Sequence, residues 1–190
     1  MKAHDLPNYI TFGRLLLVGP VVWCLLNQYY SGALALFALA GVSDALDGFL
    51  AKRYGWQSRL GTVLDPLADK VLLVSAYIAL GVLGWLPIWL VTAVIVRDVV
   101  IVIGAVSYYF RIAAVDMTPL AVSKLNTFTQ IVLVLAVVAH AGFGIIAPIW
   151  LERGIWIVAA TTIVSGVSYV LIWGYRALSA VRAGTDDGRR

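Results

Sequence analysis

At 190 residues the chain has the length of one or two soluble domains, but its composition excludes them. Apolar and aromatic residues make up 62% and charged residues 13%, against about 45–50% (glycine included) and about 25% in soluble proteins. Too little charge is present to cover a water-soluble surface, and too much apolar surface for disorder. The net charge of +4 does not indicate nucleic acid, because the basic residues cluster at the ends of apolar runs instead of forming a basic and aromatic patch.

The expected fold is all-α: a polytopic membrane protein with six transmembrane helices at roughly 10–29, 33–53, 60–83, 86–110, 122–144 and 154–176. A short interfacial segment, Ala3 to Phe12, leads into the first span, which is too long and lacks the small-residue site of a cleaved signal peptide. Cys24 lies in that span and reads as a small core residue. The breaks fall at Tyr30-Ser31-Gly32, Tyr54-Gly55-Trp56, Gly84-Trp85-Leu86-Pro87, Arg111 to Pro119, and Gly142 to Pro148, all rich in turn formers. Residues 1–182 read as one domain and 183–190 as a disordered tail, with no internal repeat.

Lys52, Arg53 and Arg59 fill the second connection, Arg111 and Lys124 bracket the fourth, and Arg176, Arg182, Arg189 and Arg190 close the chain. The other connections share only Arg153. Both termini and the second and fourth connections are therefore expected in the cytoplasm. Trp85, Trp89, Trp150 and Trp156 read as an interfacial belt.

Spans two and three carry Asp44, Asp47, Asp65 and Asp69. An aspartate at the centre of a spanning helix costs ~2.5–3.5 kcal/mol, and packing gives no reason to keep four. Spacings of three and four put each pair on one helix face. An antiparallel hairpin about Trp56 brings all four together near the cytoplasmic side. Hard carboxylate oxygens suit Mg²⁺ or Mn²⁺, and four of them suit a pair of ions ~3.5–4 Å apart. Gly48, Ala51 and Gly61 singly suit helix–helix packing, but as a set interleaved with the aspartates they leave bared backbone against which a base and ribose could lie.

Residues 44–69, DALDGFLAKRYGWQSRLGTVLDPLAD, resemble the signature D-x2-D-G-x2-A-R-x8-G-x3-D-x3-D of the CDP-alcohol phosphatidyltransferases. Every fixed position matches except Lys52, which stands where the family has Arg; Arg53 follows it. The resemblance implies six helices around a polar cavity open to the cytoplasm, and the expected location is a bacterial inner membrane. It implies two divalent cations, Mg²⁺ or Mn²⁺, held by Asp44, Asp47, Asp65 and Asp69. CDP-diacylglycerol is expected near Asp44, Gly48, Ala51, Lys52, Arg53 and Gly61, with Asp69 as general base. Membrane lipids and a second copy in a homodimer are the expected partners.

Outside the signature, Arg97-Asp98 and Ser123-Lys124-Leu125-Asn126-Thr127 are most similar to the eukaryotic-type, CMP-forming cardiolipin synthases. The resemblance implies phosphatidylglycerol as acceptor, with phosphatidylglycerol-phosphate synthesis from glycerol 3-phosphate as the alternative. Arg97, Lys124 and Arg111 are the candidate acceptor-binding cations, although Arg97-Asp98 also suits a structural ion pair. Lys70 can snorkel, balance the aspartates or bind substrate, the structural roles being favoured, and His4 and His140 read as lone histidines without a ligand partner. Asn8 and Thr11 read as helix-start residues, or as nucleotide contacts by resemblance to an N-terminal Asn-x-x-Thr-x-x-Arg of relatives. The alternative outside enzymology is a divalent-cation transporter, which would scatter ionisable residues across the membrane's depth instead of gathering four near one face.

Overall fold

The computed structural model describes the backbone of residues 6–54, 59–112 and 121–187, and the side chains of 12–44, 46, 49, 67–104 and 121–172. Among the described residues it is all-helical: α1 (Leu6–Leu26), α2 (Tyr30–Tyr54), α3 (Arg59–Val82), α4 (Ile88–Ile112), α5 (Ala121–Phe143) and α6 (Pro148–Asp187). Helix is what an apolar chain must form to satisfy its backbone away from water.

Most helix ends lie within a few residues of expectation, and the differences have local causes. The first break comes at Asn27–Tyr29, ahead of Gly32. Gln28 takes the left-handed conformation (φ 59°), and the Tyr29 amide closes the helix onto the Cys24 carbonyl at 2.7 Å. Gly32 instead sits inside α2. Gly84 (φ 79°) and Gly144 (φ 65°) follow the ends of α3 and α5, where glycine bears such backbone angles without strain. Helix α6 opens at Pro148, a residue suited to a first helical turn, six residues before the expected start. It then runs to Asp187, through much of the stretch read as a tail, over about 60 Å at 1.5 Å per residue. The hydrocarbon core of a bilayer is about 30 Å thick.

Two described stretches, Ala121–Phe143 and Pro148–Ile172, are long and apolar enough to cross a membrane; Phe12–Leu26 and Tyr30–Asp44 are shorter apolar stretches. Their outer faces expose large apolar side chains such as Leu16, Phe128, Ile163 and Leu171. Helix α1 packs on α2 and α3, and α6 on α4 and α5; α2 meets α5, and α3 meets both α4 and α5.

The bundle has a dry end and a polar end. Val21, Leu25, Tyr77, Leu80, Leu90, Val94, Val134 and Val137 fill the dry end. It is fastened where Trp85 Nε1 donates to the Tyr30 hydroxyl at 3.0 Å and stacks edge-on against His140, whose Nδ1 lies 2.6 Å from the Ile146 carbonyl. Gly142 lets α5 approach α2 here, since an added Cβ would stand 2.9 Å from Tyr30 Cβ. That atom belongs to the root of a side chain and cannot swing aside. Gly142→Ala gains at most about 1 kcal/mol of helix propensity and incurs about 1–3 kcal/mol of overpacking. We expect a lower Tm in detergent for this variant; an unchanged or higher Tm would show that the contact relaxes freely.

Candidate active site

The polar end is organised by Arg14. Because α1 packs on both α2 and α3, a side chain in that crease reaches both neighbours. Arg14 is 1% exposed, and its Nη1 donates to Asp69 Oδ1 at 2.6 Å while lying 2.9 Å from Asp44 Oδ1. One nitrogen thus joins carboxylates from α2 and α3 that stand twenty-five positions apart in the chain. Both aspartates remain about half exposed, at 50% and 48%.

The expected meeting of the α2 and α3 carboxylates is therefore present for Asp44 and Asp69. Asp47 follows Asp44 by three helical positions and Asp65 precedes Asp69 by four, but their side chains lie outside the described residues. The same holds for Gly48, Ala51, Lys52, Arg53 and Arg111, and for Gly61 on α3. Among the described residues no three His, Cys, Asp or Glu side chains gather as a metal site. The described pair nevertheless fits a divalent cation chemically, since two hard oxygens already converge on one positive charge, at 2.6 and 2.9 Å.

A cavity of about 340 Å³ opens beside the pair. Arg14, Asp44, Asp69, Lys70 and Thr127 form its polar end. Phe37, Leu72, Leu73, Ile131, Val134 and Leu135 carry an apolar wall onward along α2, α3 and α5. The repeat of lining positions at 37, 40, 41 and 44 on α2, and at 127, 131, 134 and 135 on α5, is that of one helix face each.

Two expected acceptor residues stand away from this cavity. Arg97 is 5% exposed and does not line it. Its Nη1 donates to Asp98 Oδ1 at 2.7 Å, its Nη2 to Ser123 Oγ at 2.6 Å, and both its Nε and Nη2 to Ser165 Oγ. The guanidinium also faces the Tyr169 ring, 6.0 Å from its centroid. Arg97 thus ties α4 to α5 and α6. Lys124 is exposed on α5 and does not line the cavity either.

Sequence reasoning missed the two partnerships that arrange this end. Arg14 was legible only as the arginine that closes the Asn8-x-x-Thr11-x-x-Arg14 pattern, which gave no sign of its carboxylate partners. Lys70 donates to both oxygens of Asp98 at 2.6 Å, a link between α3 and α4 that sequence separation concealed. Deeper in the bundle Asn126 Oδ1 accepts from Thr161 and Thr162, joining α5 to α6, as polar groups do between apolar helices.

A model of the CDP-alcohol phosphatidyltransferase family matches residues 4–173, which include every element of this site. The chain belongs to that family. Among its members, the chloroplastic CDP-diacylglycerol–glycerol-3-phosphate 3-phosphatidyltransferase 1 of Oryza sativa is 39% identical over 184 residues, covering 87% of this chain and 56% of the relative. The CMP-forming cardiolipin synthase of Rattus norvegicus is 36% identical over 181 residues, covering 86% and 60%. A probable phosphatidylglycerophosphate synthase of Mycobacterium tuberculosis is 34% identical, covering 89% and 81%. The chain spans little more than half the length of the rice and rat family members.

Proposed function

We propose that the chain transfers the phosphatidyl group of CDP-diacylglycerol to a hydroxyl of phosphatidylglycerol, giving cardiolipin and CMP. The observation that carries this reading is the cavity itself, which joins carboxylates at one end to an apolar wall from three helices. That is the chemistry of a lipid with a charged head. Rat and human family members are named cardiolipin synthases.

The acceptor oxygen forms a bond to the lipid-linked phosphorus as the bond from that phosphorus to the CMP oxygen breaks. Asp69, half exposed at the cavity, takes the hydroxyl proton. Asp44, Asp47, Asp65 and Asp69 would hold two divalent cations, Mg²⁺ or Mn²⁺, which supply charge neutralisation on the phosphoryl oxygens and the departing CMP. Arg14 keeps the α2 and α3 carboxylates together. Gly48, Ala51 and Gly61, with Lys52 and Arg53, would take the nucleotide. Residues 1–182 act as one domain of six spans in a bacterial inner membrane, as a homodimer, with the cavity and both termini facing the cytoplasm.

The second reading, glycerol 3-phosphate as acceptor, is favoured by the name of the rice relative at 39% identity. Product analysis separates the two. Purified chain with CDP-diacylglycerol and Mn²⁺ is expected to form cardiolipin when phosphatidylglycerol is supplied. Radiolabelled glycerol 3-phosphate converted to phosphatidylglycerol phosphate, with no cardiolipin under any metal condition, would establish the second reading instead.

A further inference from the structure

Lys70 is a cavity cation that the transfer step above does not use. It follows Asp69 directly on α3, and both residues line the cavity. Its Nζ donates to both oxygens of Asp98 on α4, each at 2.6 Å. Asp98 is only 11% exposed and is already neutralised from behind by Arg97, at 2.7 Å. Arg97 is in turn held by Ser123 and Ser165. The three side chains therefore run from the bundle interior to the cavity wall as cation, anion, cation. Arg97 and Asp98 cancel each other inside. Within this triad the surplus positive charge belongs to Lys70, which is 34% exposed where it meets the cavity.

An ion pair serving only to join α3 and α4 would need no second cation, and taking an ammonium two-thirds out of solvent costs solvation. An ammonium carries three N–H donors. Asp98 engages it with two oxygens, which fixes its position and leaves a donor for the cavity.

We infer that Lys70 receives the phosphate of the acceptor, with Asp98 as its positioning residue. The ligand class is a phosphoglycerol, in which a primary hydroxyl and a phosphate sit at opposite ends of a three-carbon glycerol. This rests on the proposed transfer reaction, in which Asp69 meets the hydroxyl. The other end of the glycerol then reaches the neighbouring residue's ammonium. Phosphatidylglycerol and glycerol 3-phosphate share this unit, as a diester in the lipid and a monoester in the soluble molecule. A lysine, a point charge without the fork of arginine, accommodates either geometry. Arg97 supports the site from within and does not itself touch the acceptor.

Kinetics of CMP release by the purified full chain test this, with phosphatidylglycerol and glycerol 3-phosphate in separate arms. Lys70→Met is expected to raise the KM for the acceptor that is used by roughly ten-fold or more, as loss of a charge-assisted hydrogen bond should. The KM for CDP-diacylglycerol should stay within about two-fold, and Lys70→Arg should recover most of the acceptor affinity. The arm in which the split appears identifies the source of the phosphate. An unchanged acceptor KM in Lys70→Met, or an equal rise in both KM values, overturns the inference. If Lys70→Met does not fold, Asp98→Asn carries the test: a rise confined to the acceptor KM supports the inference, and unaltered kinetics overturn it. A wild-type chain that releases no CMP with either acceptor overturns the proposed reaction and this inference together. An active wild type with an indifferent Lys70 overturns the inference alone.

Discussion

Asp69→Asn should lower kcat by ~10²–10⁴-fold, the range typical of general-base removal, while CDP-diacylglycerol still binds. The amide keeps the size of the carboxylate and an oxygen for the Arg14 N–H, so the crease between α1, α2 and α3 is preserved. What it loses, in the proposed reaction, is the ability to take a proton from the acceptor hydroxyl. Stopped-time CMP release paired with nucleotide binding separates the possible roles. Near-normal kcat would remove Asp69 from the chemistry. A fall in nucleotide binding that matches the fall in rate would leave Asp69 as a metal ligand only.

Metal removal should have the largest effect on the wild-type chain. Asp44 and Asp69 already direct two oxygens at one cationic nitrogen, at 2.9 and 2.6 Å. Electrostatic neutralisation of the transferring phosphoryl group accounts for much of the catalysis in reactions of this type. We expect EDTA to abolish CMP release and either Mg²⁺ or Mn²⁺ to restore it, with Ca²⁺ a poorer substitute because it prefers longer bonds and more ligands. Undiminished activity in thoroughly metal-stripped protein would refute the two-metal reading. Asp44→Asn offers a second check: it should weaken Mn²⁺ binding, which can be followed directly by electron paramagnetic resonance without any turnover.

Most of the helical architecture was legible in the sequence because long apolar runs leave the backbone no alternative to helix. Breaks marked by glycine with positive φ, at Gly84 and Gly144, fell where turn chemistry placed them. The break after α1 did not, because its left-handed residue is Gln28, a type that seldom adopts that conformation. The α2–α3 carboxylate pairing was legible for Asp44 and Asp69 because helical spacing and a hairpin constrain it strongly. Partners brought from other helices were not. Arg14 is thirty positions from Asp44, and Lys70 twenty-eight from Asp98, so only packing reveals which charge meets which. Arg97 illustrates the same limit from the other side: the sequence left it open between an acceptor ligand and a structural ion pair, and only packing shows its guanidinium engaged by Asp98, Ser123 and Ser165.

That arrangement also accounts for the contrast between the two ends of the bundle. The dry end, with Tyr77, Leu80 and Val137 fully buried, holds the helices in fixed relation. The polar end can then carry half-exposed carboxylates without collapsing onto them, as a preorganised site requires.

Phosphatidyl transfer from CDP-diacylglycerol at the Asp44–Asp69 centre stands or falls on the CMP that the purified chain releases with Mn²⁺, with and without a phosphoglycerol acceptor. CMP release that requires both the metal and the acceptor, matched mole for mole by phospholipid product, is the predicted result. No CMP release under any combination, or release indifferent to the loss of both Asp44 and Asp69, would contradict it.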